Sequence, residues 1–218
     1  MRSPGRPSVP PERILATALQ IVDEEGADAL SMRTLAQRLG SGTATLYRHY
    51  ASRAHLVAQV VDRVLGEVVV NSDDLDRMTW KDACMNLAHA TFDAIGRHKN
   101  VAPLLAEQVP VGANAMAHRE RLIATLLNNG FPPRLAALAY ATLARHVLGF
   151  VIQLRAGGAA GESSAPKVSA KLRKLSRSQF PATAAVAHLL PLSLEDEFAF
   201  GMKLIFSGLE QLRDAKEQ

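Results

Sequence analysis

The residues whose types point to a chemical role are concentrated between positions 31 and 55. This stretch holds no acidic residue, and its basic residues are Arg33, Arg38, Arg48, Arg53, His49 and His55. Residues 11–28, directly before it, carry five acids against one arginine. The formal net charge of the whole chain is only +4, so the positive charge is local. A local basic patch is typical of a surface that contacts phosphate groups, as in nucleic-acid-binding proteins.

A tight glycine turn at residues 39–42 separates two short helical segments within this basic stretch. The second segment begins with Thr-Ala-Thr at positions 43–45. A helix that enters the major groove of DNA needs short side chains at its leading end, because bulky ones would hold it away from the bases. Thr45, Tyr47 and Arg53 carry donors suited to phosphate oxygens. The pattern predicts a helix-turn-helix; the alternative is an ordinary pair of short helices within a bundle.

The rest of the chain offers little that could catalyse a reaction. The remaining histidines are scattered, and the only cysteine is Cys84, so neither a multi-cysteine metal site nor an internal disulfide is possible. Gly157-Gly158 follows no predicted strand, and Ser163-Ser164 lacks the strand and helix of a nucleophile elbow. We therefore expect no enzyme activity, no metal and no cofactor.

Hydrophobic periodicity predicts an all-α protein, since almost every segment repeats at the helical period and none alternates. The predicted order is a flexible basic arm at 1–9, a three-helix helix-turn-helix domain at 10–55, a long linking helix at 56–72 and a larger helical body at 73–218 with a mobile loop at 157–167. The richest apolar stretch, 135–154, is interrupted by Arg145 and His146, and the chain opens without a secretory signal. The cytoplasm is the expected compartment, and no membrane association is expected.

Two sets of motifs resemble a known family. Residues 32–40 (MRTLAQRLG) with 43–50 (TATLYRHY) resemble the DNA-binding domain of TetR-type repressors. Asn129-Gly130-Phe131 and residues 198–210 resemble the C-terminal domain of the tetracycline-repressor subgroup. The resemblance implies a repressor that binds a pseudo-palindromic DNA operator as a homodimer and is released by a small effector. The alternative is a helical small-molecule-binding or enzyme module without regulatory DNA binding.

The resemblance also implies roles for single residues of the motif. Arg33 matches the base-reading arginine of the family, and Thr43 and Ala44 match base-facing positions. Arg48 stands where the tetracycline repressor has tryptophan, and Thr43 where it has glutamine, so a different operator sequence is expected. The predicted DNA-contacting residues are Arg33, Thr43, Ala44, Thr45, Tyr47, Arg48, His49 and Arg53.

Small residues on two helices predict a dimer interface. Glycine in a helix costs about 1 kcal/mol relative to alanine, and it allows another helix to approach closely. Two such helices from each of two chains would form a four-helix interface, as in the family. The alternative is packing within one chain. The predicted interface residues are Ala137, Ala141, Ala144, Leu148 and Val151 on the long helix and Gly201, Ile205, Gly208 and Leu212 on the last one.

The positions that hold a magnesium–drug complex in the tetracycline-repressor subgroup correspond to Val69, Leu87 and Leu105. All three are apolar and cannot bind a hydrated dication, so a lipophilic effector without a metal is expected. The alternative is that these residues simply fill a core. The predicted pocket residues are Val69, Leu87, Thr91, Leu105, Met116, Leu138, Thr142 and His146.

Two basic segments have open interpretations. Arg2 and Arg6 lie on the N-terminal arm, which either enters the minor groove of DNA or is a disordered tail. The run from Lys167 to Arg177 is either a solvated helix face or a second contact with a polyanion.

Overall fold

The computed structural model describes residues 9–71, 77–107 and 109–215, and within these ranges it is all-α with no strand; the side chains of 154–164 are not included. Short 3-10 turns at Ala27–Ala29 and Lys99–Val101 join some of the helices. The helices are α1 (Pro11–Glu25), α2 (Met32–Arg38), α3 (Thr43–Tyr47), α4 (Arg53–Leu65), α5 (Trp80–Arg97), α6 (Ala102–Glu107), α7 (Ala113–Asn128), α8 (Pro133–Arg173), α9 (Pro181–Val186) and α10 (Leu194–Asp214).

Side-chain caps begin the helices where the sequence predicts them. The hydroxyl of Ser31 accepts a hydrogen bond from the Thr34 amide (3.0 Å), and Ser52 does the same for His55 (3.1 Å). Such caps satisfy amides that have no partner within the helix. Helix α1 ends at Gly26, whose φ of 93° suits glycine. Helices α1–α4 thus form the compact unit predicted at the N-terminus.

The linking helix is shorter than predicted. We expected a helix over 56–72, but α4 ends at Leu65 and residues 66–67 form a turn. The next residues are Val68, Val69 and Val70, whose β-branched side chains lower helix propensity. Val68 is buried, whereas Val69 is 87% exposed, so the chain leaves the helical register here.

Helices α5, α7, α8 and α10 pack together as the larger body. The ring of Trp80 contacts Phe131 and Phe206 edge-on, at centroid distances of 4.8 and 5.7 Å, and so joins α5 and α10 at the start of α8. Residues 133–153 of α8 are long and apolar enough to cross a membrane by length and composition. In this fold that segment packs against α5, α7 and α10.

Helix α8 continues through residues 157–167, where a mobile loop was predicted. The glycines of this segment disfavour a helix, but its alanines favour one. Extending a helix that is already anchored by packing costs far less than nucleating a new one. The composition alone therefore predicted the wrong backbone state. The basic run beyond it is exposed, and the arm at residues 1–8 lies outside the described residues.

Candidate DNA-binding face and ligand cavity

Helices α2 and α3 are held in a fixed relation by the turn between them. Gly40 adopts a φ of 62°, a left-handed conformation that favours glycine. The amide of Ser41 donates to the carbonyl of Ala36 at 2.9 Å, which closes the turn. Leu46 on α3 is fully buried in the N-terminal core. The turn and this anchor together fix which face of α3 points outward.

The outward face carries the residues predicted to contact DNA. Arg33, Thr43, Ala44 and Arg48 are exposed, and Tyr47 is 55% exposed. Thr45 and His49 are half-buried. The guanidinium of Arg48 lies 3.4 Å from the Thr45 hydroxyl. An exposed helix with short leading side chains and flanking arginines can enter a major groove.

Part of the positive charge in this region is neutralised within the protein. Arg38 forms ion pairs with Glu24 (2.8 Å) and with Glu25. Its hydrogen bond to Glu24 is the main reason why the pKa of Glu24 is lowered. Arg33 and Arg48 have no acidic partner among the described residues, so they remain the cations available to DNA.

Arg53 has a structural role that the sequence did not reveal. Its Nε donates to the carbonyl of Leu30 at 2.7 Å, and one terminal nitrogen donates to Ala27 at 3.3 Å. The other terminal nitrogen pairs with Glu107 on α6, also at 3.3 Å. The guanidinium thus has internal partners on two elements, and its predicted contact with a phosphate stays a prediction.

A cavity of about 170 Å³, partly open to solvent, lies between α5, α6, α7 and α8. Three predicted pocket residues, Leu87, Thr91 and Leu105, line it. Its lining is mostly apolar, with a few polar residues that include His118, Arg119 and Tyr140. Among the described residues, no group of three or more His, Cys, Asp or Glu side chains is placed to hold a metal ion.

The other five predicted pocket residues do not line this cavity: Val69, Met116, Leu138, Thr142 and His146. Val69 follows the early end of α4 and points to solvent. Met116 is exposed, and its sulfur lies 2.8 Å from the Arg119 guanidinium. On α8, the cavity is lined instead by Tyr140, Leu143, Ala144, Val147 and Leu148. The predicted positions lie about half a helical turn away from this face.

The structure divides the predicted dimer stripe on α8. Val151 is fully buried, and the half-buried Leu148 lines the cavity. Ala137 is exposed, Ala141 is half-buried, and Ala144 is exposed where it lines the open cavity. The dimer contacts of this stripe stay a prediction.

The two glycines of α10 serve different purposes. A methyl group at Gly201 would overlap the imidazole of His146, so this glycine allows close packing of α10 against α8 within one chain. The imidazole also stacks on Phe198, at 5.2 Å between ring centroids. A methyl group at Gly208 would meet no atom within 4 Å, and Leu212 is exposed. Only the outer part of the predicted α10 stripe is thus free of intrachain packing.

Contacts from the cavity reach α4, the helix that follows the DNA-binding motif. The Nε2 of His118 lies 2.8 Å from the carbonyl oxygen of Leu65, the last residue of α4. The buried carboxylate of Asp62 accepts a hydrogen bond from the Ala115 amide at 2.9 Å and so caps α7.

His118 and Arg119 were missed by the sequence analysis because nothing in their spacing distinguishes them. An acid within the apolar stripe of α4 was a usable signal for Asp62.

Comparison with known proteins agrees with this geometry. Residues 14–60 match the family model described as bacterial regulatory proteins, tetR family. Residues 73–213 match the tetracyclin repressor-like, C-terminal domain. The repressor DrrR1 of Streptomyces coeruleorubidus is 27% identical, with 97% of this chain and 82% of that protein covered. The class A tetracycline repressor protein of Escherichia coli is 26% identical, with 93% and 91% covered.

Solved structures extend the similarity to the whole fold. Apo ActR from Streptomyces coelicolor superimposes with a TM-score of 0.85 at 29% identity, covering 97% of this chain and 100% of that chain. ActR in complex with actinorhodin gives a TM-score of 0.85 at 30% identity, covering 95% and 99%. The exposed helix-turn-helix, the cavity-bearing helical body and these matches identify the chain as a DNA-binding transcriptional regulator of the TetR family, with a tetracycline-repressor-like C-terminal domain.

Proposed function

We propose that the protein is a homodimeric repressor that binds a pseudo-palindromic operator through α2 and α3 and is released when a small, mostly apolar effector occupies the cavity. The observation that carries this proposal is the shared helix α4. Its N-terminal end is tied to the DNA-binding unit by Arg53, and its C-terminal end contacts the cavity residue His118. The two sites are thus mechanically connected. A DNA-bound regulator of this kind acts in the cytoplasm.

The exposed apolar side chains of α10 and α8 support dimerisation. Phe200, Leu204 and Leu212 are each more than half exposed on α10, and Leu138 and Ile152 are exposed on α8. Large exposed apolar residues on neighbouring helices are typical of a protein–protein interface. We propose these residues, with Ile205 and Gly208, as the centre of the dimer interface. Two chains would place their recognition helices about 34–36 Å apart, one turn of DNA.

Release follows from this geometry. A molecule that fills the cavity displaces α7 relative to α5 and α8, and α7 is joined to the end of α4 through Asp62 and His118. A shift of α4 changes the separation of the two recognition helices, so they no longer fit successive major grooves. The ligand must bind the DNA-incompetent state more tightly, because only differential affinity shifts the equilibrium.

The test is recovery of bound DNA from fragments of the source genome, followed by gel retardation of the recovered sites. The proposal predicts one or a few sites with an inverted repeat, and genes beside them would indicate the effector class. Arg33→Ala should weaken retardation of the recovered sites and relax selectivity at one base pair, whereas Arg134→Ala, which removes an exposed arginine from α8, should do neither. Recovery of random DNA, or of none, would contradict the proposal.

A further inference from the structure

Two polar groups at the cavity lack the partners that their chemistry calls for. Among the described residues that line the cavity, Arg119 is the only permanently charged side chain. The Nδ1 of His118 is buried without any hydrogen-bond partner among the described residues. Buried polar atoms are rarely left unpaired, so each exception needs an explanation. We propose that the cavity takes an apolar, ring-containing weak acid whose acidic hydroxyl, as a carboxylic acid or a phenol, meets His118 and Arg119. This inference rests on the proposed role of the cavity as an effector site.

The partners of Arg119 among the described residues are all uncharged. Its Nε donates to the phenolic oxygen of Tyr140 at 3.0 Å, and a terminal nitrogen donates to the carbonyl of Pro110 at 2.9 Å. Its remaining short contact is with the sulfur of Met116. The guanidinium also lies 5.4 Å from the ring centroid of Tyr140. A guanidinium carries five N–H donors, so donors remain for a further acceptor. The described lining includes no Asp or Glu, so an acidic ligand would supply a negative charge that this part of the protein does not.

The proton arrangement of His118 defines what its free nitrogen can bind. Its Nε2 lies 2.8 Å from the carbonyl oxygen of Leu65, which can only accept, so Nε2 carries a hydrogen. In the neutral ring Nδ1 is then an acceptor, and it suits the O–H of an acid or a phenol. If the proton of the ligand's O–H moves to Nδ1, the ligand becomes an oxyanion and Nδ1 donates a hydrogen bond to it. An acidic hydroxyl therefore forms a hydrogen bond with Nδ1 whether the proton lies on the ligand or on the ring. An ether or ester oxygen has no proton and cannot donate to the neutral ring.

The remaining lining fits the body of such a molecule. Leucine, isoleucine, valine and alanine side chains from α5, α7 and α8 make up most of the wall. They exclude water and strengthen a charge-assisted hydrogen bond at the polar end. The lining therefore combines a mostly apolar wall with the basic side chains of His118 and Arg119, and this combination selects acids over neutral analogues of the same shape.

The experiment compares two matched pairs of compounds by calorimetry on the full chain at pH 7. The pairs are 2-naphthoic acid with methyl 2-naphthoate, and 2-naphthol with 2-methoxynaphthalene. Each acid should bind at least about tenfold more tightly than its methylated partner, because methylation leaves a buried polar group unsatisfied. Equal affinities within the pairs, or no binding of any compound at millimolar concentration, would overturn the inference. Neither result would affect operator binding, which is measured separately by gel retardation.

Variants then assign the preference to residues. Arg119→Gln should reduce the preference for 2-naphthoic acid over its ester by at least about tenfold. Arg121→Gln removes the same charge from the same helix at a position that does not line the cavity, and it should leave the preference unchanged. His118→Gln keeps a donor for the Leu65 carbonyl and should reduce the preference for naphthol over its ether. An undiminished preference in both Arg119→Gln and His118→Gln would overturn the assignment.

Discussion

The imidazole of His118 donates from Nε2 to the carbonyl oxygen of Leu65 across 2.8 Å, and this bond joins the ligand cavity to the end of α4. The orphan carbonyls at a helix C-terminus need partners, and here the partner is a cavity residue. At the other end of α4, Arg53 binds the carbonyl of Leu30 and the carboxylate of Glu107. Glu107 is two residues beyond the cavity residue Leu105. Both ends of α4 are therefore linked to elements that form the cavity.

Removal of the Arg33 side chain should weaken binding to the cognate site. Arg33 is exposed without an acidic partner among the described residues, so its guanidinium is available to a base edge. Arg33→Ala should cost about 1–3 kcal/mol of binding free energy and relax selectivity at one base pair. Competition with operators substituted at each position measures this loss. A uniform weakening across all these sequences would show that Arg33 contacts only phosphate.

Removal of the Arg53 side chain should lower stability more than DNA affinity. Its hydrogen bonds to Leu30 and Ala27 and its ion pair with Glu107 are internal. Arg53→Ala should reduce the free energy of unfolding by about 1–2 kcal/mol, measured by chemical denaturation. Arg48→Ala, which removes an exposed arginine with one weak contact, is the matched control and should leave stability unchanged. If Arg53→Ala unfolds like the native protein but its DNA binding depends less on salt, Arg53 acts mainly as a phosphate contact.

A charge on the exposed face of α10 should dissociate the dimer. Leu204 is 57% exposed at the centre of the proposed interface. Sedimentation of the native protein at micromolar concentration should show one species near twice 23.5 kDa. Leu204→Glu should shift it to the monomer, because an unpaired carboxylate would be buried in the interface. Leu189→Glu changes an equally exposed leucine elsewhere and should remain dimeric; a dimeric Leu204→Glu variant would place the interface on another face.

The single thiol should be almost inert in the folded protein. Cys84 is 2% exposed, and burial raises its pKa to about 12. Release of thionitrobenzoate from Ellman's reagent at pH 8 should be slow until the chain is unfolded, when one thiol per chain reacts. Since the folded pKa exceeds the unfolded value, the neutral thiol contributes stability that is lost as pH rises from about 9 toward 12. Rapid labelling of the folded protein at pH 8 would contradict this burial.

Local signals predicted the all-α fold and the helix ends of the N-terminal unit well. The caps Ser31 and Ser52, the stop at Gly26 and the outward side chains of α3 all depend on residues close in sequence, and the structure has them as predicted. Helix ends that depend on competing propensities were less predictable. The early end of α4 and the continuation of α8 through 157–167 both differ from the prediction.

Tertiary partners were beyond the reach of sequence patterns. The apolar faces of α8 were identified, but the cavity lies on a different face from the predicted pocket residues, because periodicity shows that a face is apolar and not what covers it. Arg53 looked like a free cation because its partner Glu107 is 54 residues away. Gly201 looked like an intermolecular contact until the position of His146 was known. Each of these contacts joins residues that are distant in sequence.

The most direct test of the account is the fluorescence anisotropy of a labelled duplex carrying the recovered inverted repeat, titrated with the protein at physiological salt. Binding should saturate at two chains per duplex, with an affinity at least about 10³-fold higher than for a scrambled duplex of the same length. A loss of that affinity in Arg33→Ala, with an unchanged fold, would assign the selectivity to the face formed by α2 and α3. Equal affinity for the two duplexes would contradict the account.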